Sequence, residues 1–209
     1  MVSEALGLAG WRLPSLALAG KGDTPNDGVL EPDEVWVERA RRHPDAFAEL
    51  VRRFQSRIYS LTYRMTGNRE DARDLTQDAF IRAYDGLSTF RPNGRFSPWL
   101  YRIAVNLCLN HLRRRREETD LGEIEYSLRS GTLEEVVENR EMEKTVARAI
   151  LSMPTHYRSP LLLRHISGLS YEEMTQVLDM PLGTVKTRLH RARELLSARL
   201  RLEGVEGIG

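Results

Sequence analysis

The sequence predicts an all-α fold: two small helical domains joined by a flexible acidic linker, with a helix-turn-helix in the C-terminal one. Three observations lead there. Apolar residues recur at steps of three and four in two separate blocks, the spacing of amphipathic helices. No run combines β-branched enrichment with the period-two alternation of a strand. Between the blocks lies a stretch of acids, glycines and hydroxyl residues that keeps no period. A chain of 209 residues has room for two such domains.

Residues 1–33 are rich in Gly, Ala, Leu and Pro without a sustained period and are expected to form a poorly ordered tail. Leu16, Ala17, Leu18, Ala19 and Gly20 resemble a small-residue cleavage site. The preceding segment has Glu4 and no basic start, and Arg12 and Pro14 interrupt its apolar core, so no secretory signal is expected. No run approaches the ~20 apolar residues of a membrane span, and the chain is expected in the cytoplasm without membrane insertion.

The first domain is placed at 34–116. Ala46, Phe47, Leu50, Val51 and Phe54 form one helical stripe, continued by Ile58, Leu61 and Met65, until Gly67 and Asn68 break it. Over 71–84, Ala72, Leu75, Ala79 and Ala83 mark a buried face with Phe80 beside it. Asp74, Gln77, Asp78 and Ile81 lie opposite, and an isoleucine on an acidic outward face marks a partner surface. Segment 90–96 is a loop by its Pro92 and its Asn93-Gly94 pair, and Ser97 with Pro98 opens the helix after it. Cys108, among Ala104, Val105 and Leu107, reads as a small buried hydrophobe, and a single cysteine allows no intramolecular disulfide.

Residues 117–133 are read as the linker, which fully extended would span ~55–60 Å, more than one turn of duplex DNA. The second domain is placed at 134–201, with 202–209 as a tail. Its core candidates are Val136, Val146, Ala149, Ile150, Leu161, Leu162 and Ile166, and Pro160 is placed to kink its own helix. Ser170 and Glu173 have the spacing of a capping box, and Pro181 suits a first helical position. Leu182, Val185, Leu189, Ala192 and Leu196 then form one stripe. Lys186, Thr187, His190 and Arg191 project to the other side, with Arg188 on the flank. Cap, turn and basic second helix together are the layout of a helix-turn-helix, whose second helix enters the major groove.

The net charge of +1 conceals a segregation: five arginines and no acid in 101–116, ten acids and two arginines in 117–143, and six cations against one glutamate in 181–201. Two basic patches separated by an acidic stretch point to two nucleic-acid contacts. In the first, Phe90 and Phe96 alternate with Arg91 and Arg95, followed by Trp99, Arg102, Asn106, Asn110 and the run from Arg113 to Arg116. Rings that stack on bases beside guanidinium groups that hold phosphates suit a single strand. Catalytic chemistry finds no constellation. Glu172 and Glu173 are adjacent, so on a helix they point about 100° apart. The five histidines have no ligand spacing. No catalytic residue, metal or cofactor is expected, and the chain is not expected to be an enzyme.

These residues resemble a bacterial RNA polymerase sigma factor of the extracytoplasmic function group. The resemblance covers roughly 36–201 in two blocks. One runs from Ala46-Phe47 through 71–84 to Phe96-Ser97-Pro98-Trp99-Leu100-Tyr101-Arg102-Ile103-Ala104-Val105-Asn106. The other runs from Gly168-Leu169-Ser170-Tyr171-Glu172-Glu173 to Gly183-Thr184-Val185-Lys186-Thr187-Arg188-Leu189-His190-Arg191-Ala192-Arg193. It implies a region-2-like domain at 34–116 and a region-4-like domain at 134–201. It further implies that Asp74, Gln77, Asp78 and Ile81 grip the clamp coiled coil of core polymerase, with the flap as a second polymerase contact. Phe90, Arg91, Asn93, Arg95, Arg102, Asn106, Asn110 and Arg113 would recognise and melt the minus-ten element, Asn106 matching a reader of an unpaired base. Lys186, Thr187, Arg188, His190 and Arg191 would read the minus-thirty-five element. Promoter DNA, duplex and single-stranded, and an anti-sigma protein complete the implied partners. Pro98, Pro160 and residues 1–33 depart from the family pattern. The alternative is a stand-alone helix-turn-helix regulator whose first domain dimerises or senses, for which arginines and aromatics suited to single strands would have no use.

Overall fold

A computed structural model describes residues 31–91, 94–120 and 140–203. The expectations for the tail at 1–30, the linker core at 121–133, Val136, Asn93 and the C-terminal 204–209 lie outside the described residues. Among the described residues there are eight α-helices and no strand: α1 Asp33–Arg42, α2 Phe47–Thr66, α3 Arg69–Asp85, α4 Phe96–Asp120, α5 Arg140–Leu151, α6 Thr155–His165, α7 Tyr171–Leu178 and α8 Leu182–Leu202.

The first unit is α1 to α4. In α1, Asp33 and Glu34 stand in the first turn and Arg39, Arg41 and Arg42 in the last, each complementing its end of the helix dipole. A short 3-10 turn, Pro44–Ala46, takes Ala46 out of the helix that its stripe suggested, and α2 starts at Phe47. The rest of that stripe, from Phe47 to Met65, is buried. Helix α2 stops at Gly67, whose φ of +74° suits a residue without Cβ and whose N–H donates to Tyr63 O at 2.7 Å. Asn68 then caps α3 by accepting from the N–H groups of Glu70 and Asp71. The predicted inner face of α3 is buried, Phe80 with it. Where α2 crosses α3, the buried hydroxyls of Thr62 and Thr76 lie 2.9 Å apart, and Thr76 donates to Ala72 O.

Helix α4 corrects a boundary. It continues past 116 to Asp120, carrying the helical unit four residues into the expected linker. Residues 117–120 include helix-compatible Glu117 and Glu118, and Glu117 Oε1 lies 3.9 Å from Arg113 Nε one turn back.

The second unit is α5 to α8. Ala149, Ile150, Leu161 and Leu162 are buried and Val146 is partly so, whereas Ile166 is 39% exposed. Ile166 is the C-cap of α6, beyond the face that turns inward. Pro160 does not end α6, which runs on to His165; its missing N–H removes the bond to the His156 carbonyl. Ser170 and Glu173 form the expected capping box at α7. Pro181 stands one place earlier than expected: it is the N-cap of α8, and its carbonyl accepts from Val185 N–H at 3.1 Å. In α8, Val185, Leu189 and Ala192 are buried, but Leu182, at the exposed start of the helix, is 38% exposed.

The two units share one core. Helix α4 packs on α7, and α2 packs on α5 and α6. The side chain of Leu151 lies over Gly67, where a Cβ would meet it at 3.1 Å. Arg158, in α6, is 5% exposed and reaches across to donate to Met65 O at 2.5 Å, while also serving Leu151 O and Met153 O. One buried guanidinium thus holds carbonyls from the C-terminal ends of α2 and α5, where the helix dipole favours a cation.

Candidate nucleic-acid interface

The helix-turn-helix is built by α7, a turn at 179–181 and α8. Asp179 takes φ +52°, ψ +52°, the left-handed conformation that aspartate tolerates better than most residues. With Val185, Leu189 and Ala192 in the core, the helical period turns Lys186, Thr187, His190 and Arg191 outward, and all four are exposed. Thr187 spends its proton on Gly183 O. His190 and Arg191 lie 3.4 and 2.8 Å from the two carboxylate oxygens of Glu194 on the same helix. Exposed pairs of this kind contribute about 0–1 kcal/mol, so they yield readily to a phosphate. Arg188 is only half-exposed and turns toward α4. His165, at the exposed end of α6 beside Arg193 of α8, has its pKa lowered by partial desolvation, then by Arg193 and Arg164, and the Arg193 Nε lies 3.4 Å from its Nε2.

The second basic face is formed by the loop at 90–96 and α4. Its aromatic rings turn inward. Phe90 is 6% exposed, with its ring centroid 6.1 Å from that of Phe96 and 5.0 Å from that of Trp99. Phe96 is fully buried and meets Phe54 edge-on at 5.6 Å. The two phenylalanines therefore root the loop and offer no ring to a base; burying an aromatic ring removes far more apolar area from water than a solvated stacking surface would. Arg91 and Arg95 are left exposed at the tip, and Arg102, Asn106, Asn110 and Arg113 are exposed along α4. Cys108 is buried in the same helix, and burial pushes its thiol up to about 12.

The two faces meet. Arg95 pairs with Glu173 of α7, and Arg102 lies 3.7 Å from Asp179. Asn106 and Arg188 line one cavity of about 270 Å³ with Val177, Leu178 and Met180. Sequence reasoning had no access to these contacts, since the paired residues lie more than seventy positions apart. It also missed a second polar cluster, where His111 Nε2 and Arg115 Nη1 lie 3.2 and 3.5 Å from Asp71 Oδ2 and Arg114 and Asn68 complete a cavity of about 380 Å³. The i, i+3, i+4 spacing of His111, Arg114 and Arg115 was the available signal.

A third surface is the outer side of α3. Asp74 and Asp78 are exposed and Gln77 and Ile81 half-exposed, on the face opposite the buried alanines. Among the described residues no cluster of three His, Cys, Asp or Glu could hold a metal, and no helix is long and apolar enough to cross a membrane.

Two docked helical units, each with a basic face and one with a helix-turn-helix, define a two-module DNA-binding protein. Residues 50–118 match the family described as Sigma-70 region 2, and residues 144–196 match Sigma-70 region 4. The chain is 42% identical over 168 residues to the ECF RNA polymerase sigma factor SigW of Bacillus subtilis, covering 75% of this chain and 90% of the relative. It is 39% identical over 176 residues to the ECF RNA polymerase sigma-E factor of Escherichia coli, covering 78% and 92%. A solved structure of CnrH in complex with the cytosolic domain of CnrY has a similar fold, with a TM-score of 0.64, 27% identity, and coverage of 81% of this chain and 97% of that one. The chain belongs to the extracytoplasmic function family of RNA polymerase sigma factors.

Proposed function

We propose that this chain directs core RNA polymerase to promoters through three surfaces with separate tasks. The exposed row Lys186, Thr187, His190 and Arg191 enters the major groove of the minus-thirty-five element, with Arg188 on its flank. Arg91, Asn93, Arg95, Arg102, Asn106, Asn110 and Arg113 take the minus-ten strand once its bases unstack. The outer face of α3, with Asp74, Gln77, Asp78 and Ile81, binds the clamp coiled coil of the polymerase, which supplies the catalysis; this chain is not an enzyme. Its place of work is the cytoplasm, with the polymerase. An anti-sigma protein is its expected regulator, in line with the complex in which the related CnrH was solved.

The observation that carries this reading is the arrangement of Asn106. Its amide, exposed on α4, offers two donors and an acceptor, enough to pair with the edge of an extruded base. Arg102, one turn earlier on the same helix, and Arg188, across the shared cavity, supply positive charge for the neighbouring phosphates. Phe90, the remaining member of the predicted contact set, serves here as the root of the loop. In the docked arrangement Arg95 and Arg102 face carboxylates of α7 and its turn, so DNA engagement exchanges Glu173 and Asp179 for phosphate.

Abortive transcription by reconstituted holoenzyme, on duplex and pre-melted templates carrying each base at every minus-ten position, tests the reading. Asn106→Ala should impair opening on duplex templates and alter preference at one position. On the bubble, overall activity should recover while the altered preference persists. A variant that matches the parent on every template removes Asn106 as the base reader.

A further inference from the structure

We infer that Arg41, upstream of the region-2 match at 50–118, is a positioning residue for base discrimination at the minus-ten element. This inference rests on the reading of the 90–96 loop as the minus-ten contact. Arg41 stands in the last turn of α1, and its side chain is 21% exposed. Its Nε donates to Leu87 O at 3.0 Å, and its Nη2 donates to Phe90 O. Its third arm, Nη1, is held by Glu38 Oε1 at 2.6 Å. One planar guanidinium therefore spans two carbonyls, three residues apart, on the stem from which the loop departs.

That stem has no regular ladder to hold it. It leaves α3 through a tight turn, in which Thr89 and Phe90 N–H both donate to Gly86 O at 3.1 Å. The carbonyls of Leu87 and Phe90 are the groups that Arg41 satisfies, and both residues are buried. Phe90 is thus fixed twice, by its ring against Phe96 and Trp99 and by its carbonyl against Arg41. Arg91 follows at once, Arg95 closes the loop before Phe96, and both are exposed. Their aim depends on the rigidity of the two anchors behind them, because a contact displaced by about 1 Å loses most of its selectivity. Lysine cannot substitute, since its ammonium is a single point and cannot bridge both carbonyls in one plane. Arg41 itself faces the protein backbone, so it shapes the contact without making it.

The test compares the parent, Arg41→Ala, Arg41→Lys and Arg95→Ala as full chains, on a promoter recovered from a random library with the parent holoenzyme. Amide exchange over 87–95 should accelerate in Arg41→Ala. Core polymerase affinity should stay at the parental level. Discrimination among bases in the minus-ten element should fall by about tenfold, the equivalent of losing one hydrogen bond to a charged donor. Arg41→Lys should fall between, and it carries the test by the same criteria if Arg41→Ala does not fold. Parental discrimination in the Arg41 variants, with altered discrimination in Arg95→Ala, would overturn the positioning role and leave the loop reading intact. Parental discrimination in all variants would overturn the loop reading and this inference with it. Discrimination lost only in proportion to core affinity would make Arg41 a folding residue.

Discussion

Replacing Arg158 by methionine removes a buried cation that joins the two units while keeping most of its apolar stem. Three carbonyls lose their donor: Met65 O from the first unit, Leu151 O and Met153 O from the second. A hydrogen bond to a charged group contributes about 1.5–3 kcal/mol, and a buried acceptor left unpaired costs about 1–3 kcal/mol. Water entering the vacated space restores part of this, so the net loss is about 3–5 kcal/mol. Against a total stability of about 5–15 kcal/mol that is a large fraction. For a chain of this size it corresponds to a melting temperature lower by about 6–20 °C. Arg158→Lys can reach one carbonyl and should fall between. Because the core is continuous across the units, both should melt in one transition in the parent. Thermal and urea denaturation followed by circular dichroism measure the change. A loss below about 1 kcal/mol in both variants would show that the docked arrangement does not depend on this clamp.

Three further outcomes follow from the surfaces. Asp74→Lys with Asp78→Lys, a reversal of the charge on that face, should weaken core polymerase binding at least tenfold with an unaltered helical spectrum; calorimetric titration against core polymerase checks it. Arg191→Ala should weaken binding to the upstream element, and if Arg191 contacts phosphate the slope of log K against log salt should shrink by about 1. The pKa of His165 is lowered in the folded state, so stability should fall as pH drops below the ordinary histidine value of about 6.5 and level off beneath the folded pKa. His165→Gln should flatten that part of a stability–pH curve, and an unchanged curve would remove His165 as its source.

What was legible in the sequence was local. The capping box at Ser170 and Glu173, the inner face of α3 and the outward row of α8 all follow from spacings of three and four, which the backbone helix imposes whatever surrounds it. The end of α4 was not legible, because an acidic, helix-compatible stretch reads equally as linker until its first turn is seen to continue the helix. The burial of the Phe90 ring was not legible, because aromatics beside arginines carry the same pattern whether the ring faces a base or the core, and its packing on Phe96 and Trp99 is a contact of the fold. The docking of the two units was invisible for a different reason. Arg158 to Met65, Arg95 to Glu173 and Arg102 to Asp179 join segments far apart in the chain, and no local period encodes a long-range contact.

The central claim is that one chain addresses polymerase to two promoter elements through two separate faces. Its most direct measurement is transcription from a random-sequence promoter library by core polymerase with and without the purified chain. The account predicts transcripts only with the chain present, from templates sharing two short elements at fixed spacing. Arg191→Ala should alter the upstream element alone, and Asn106→Ala the downstream one alone. Tight sequence-specific binding to duplex DNA by the chain alone, with no transcript in the presence of core polymerase, would contradict it.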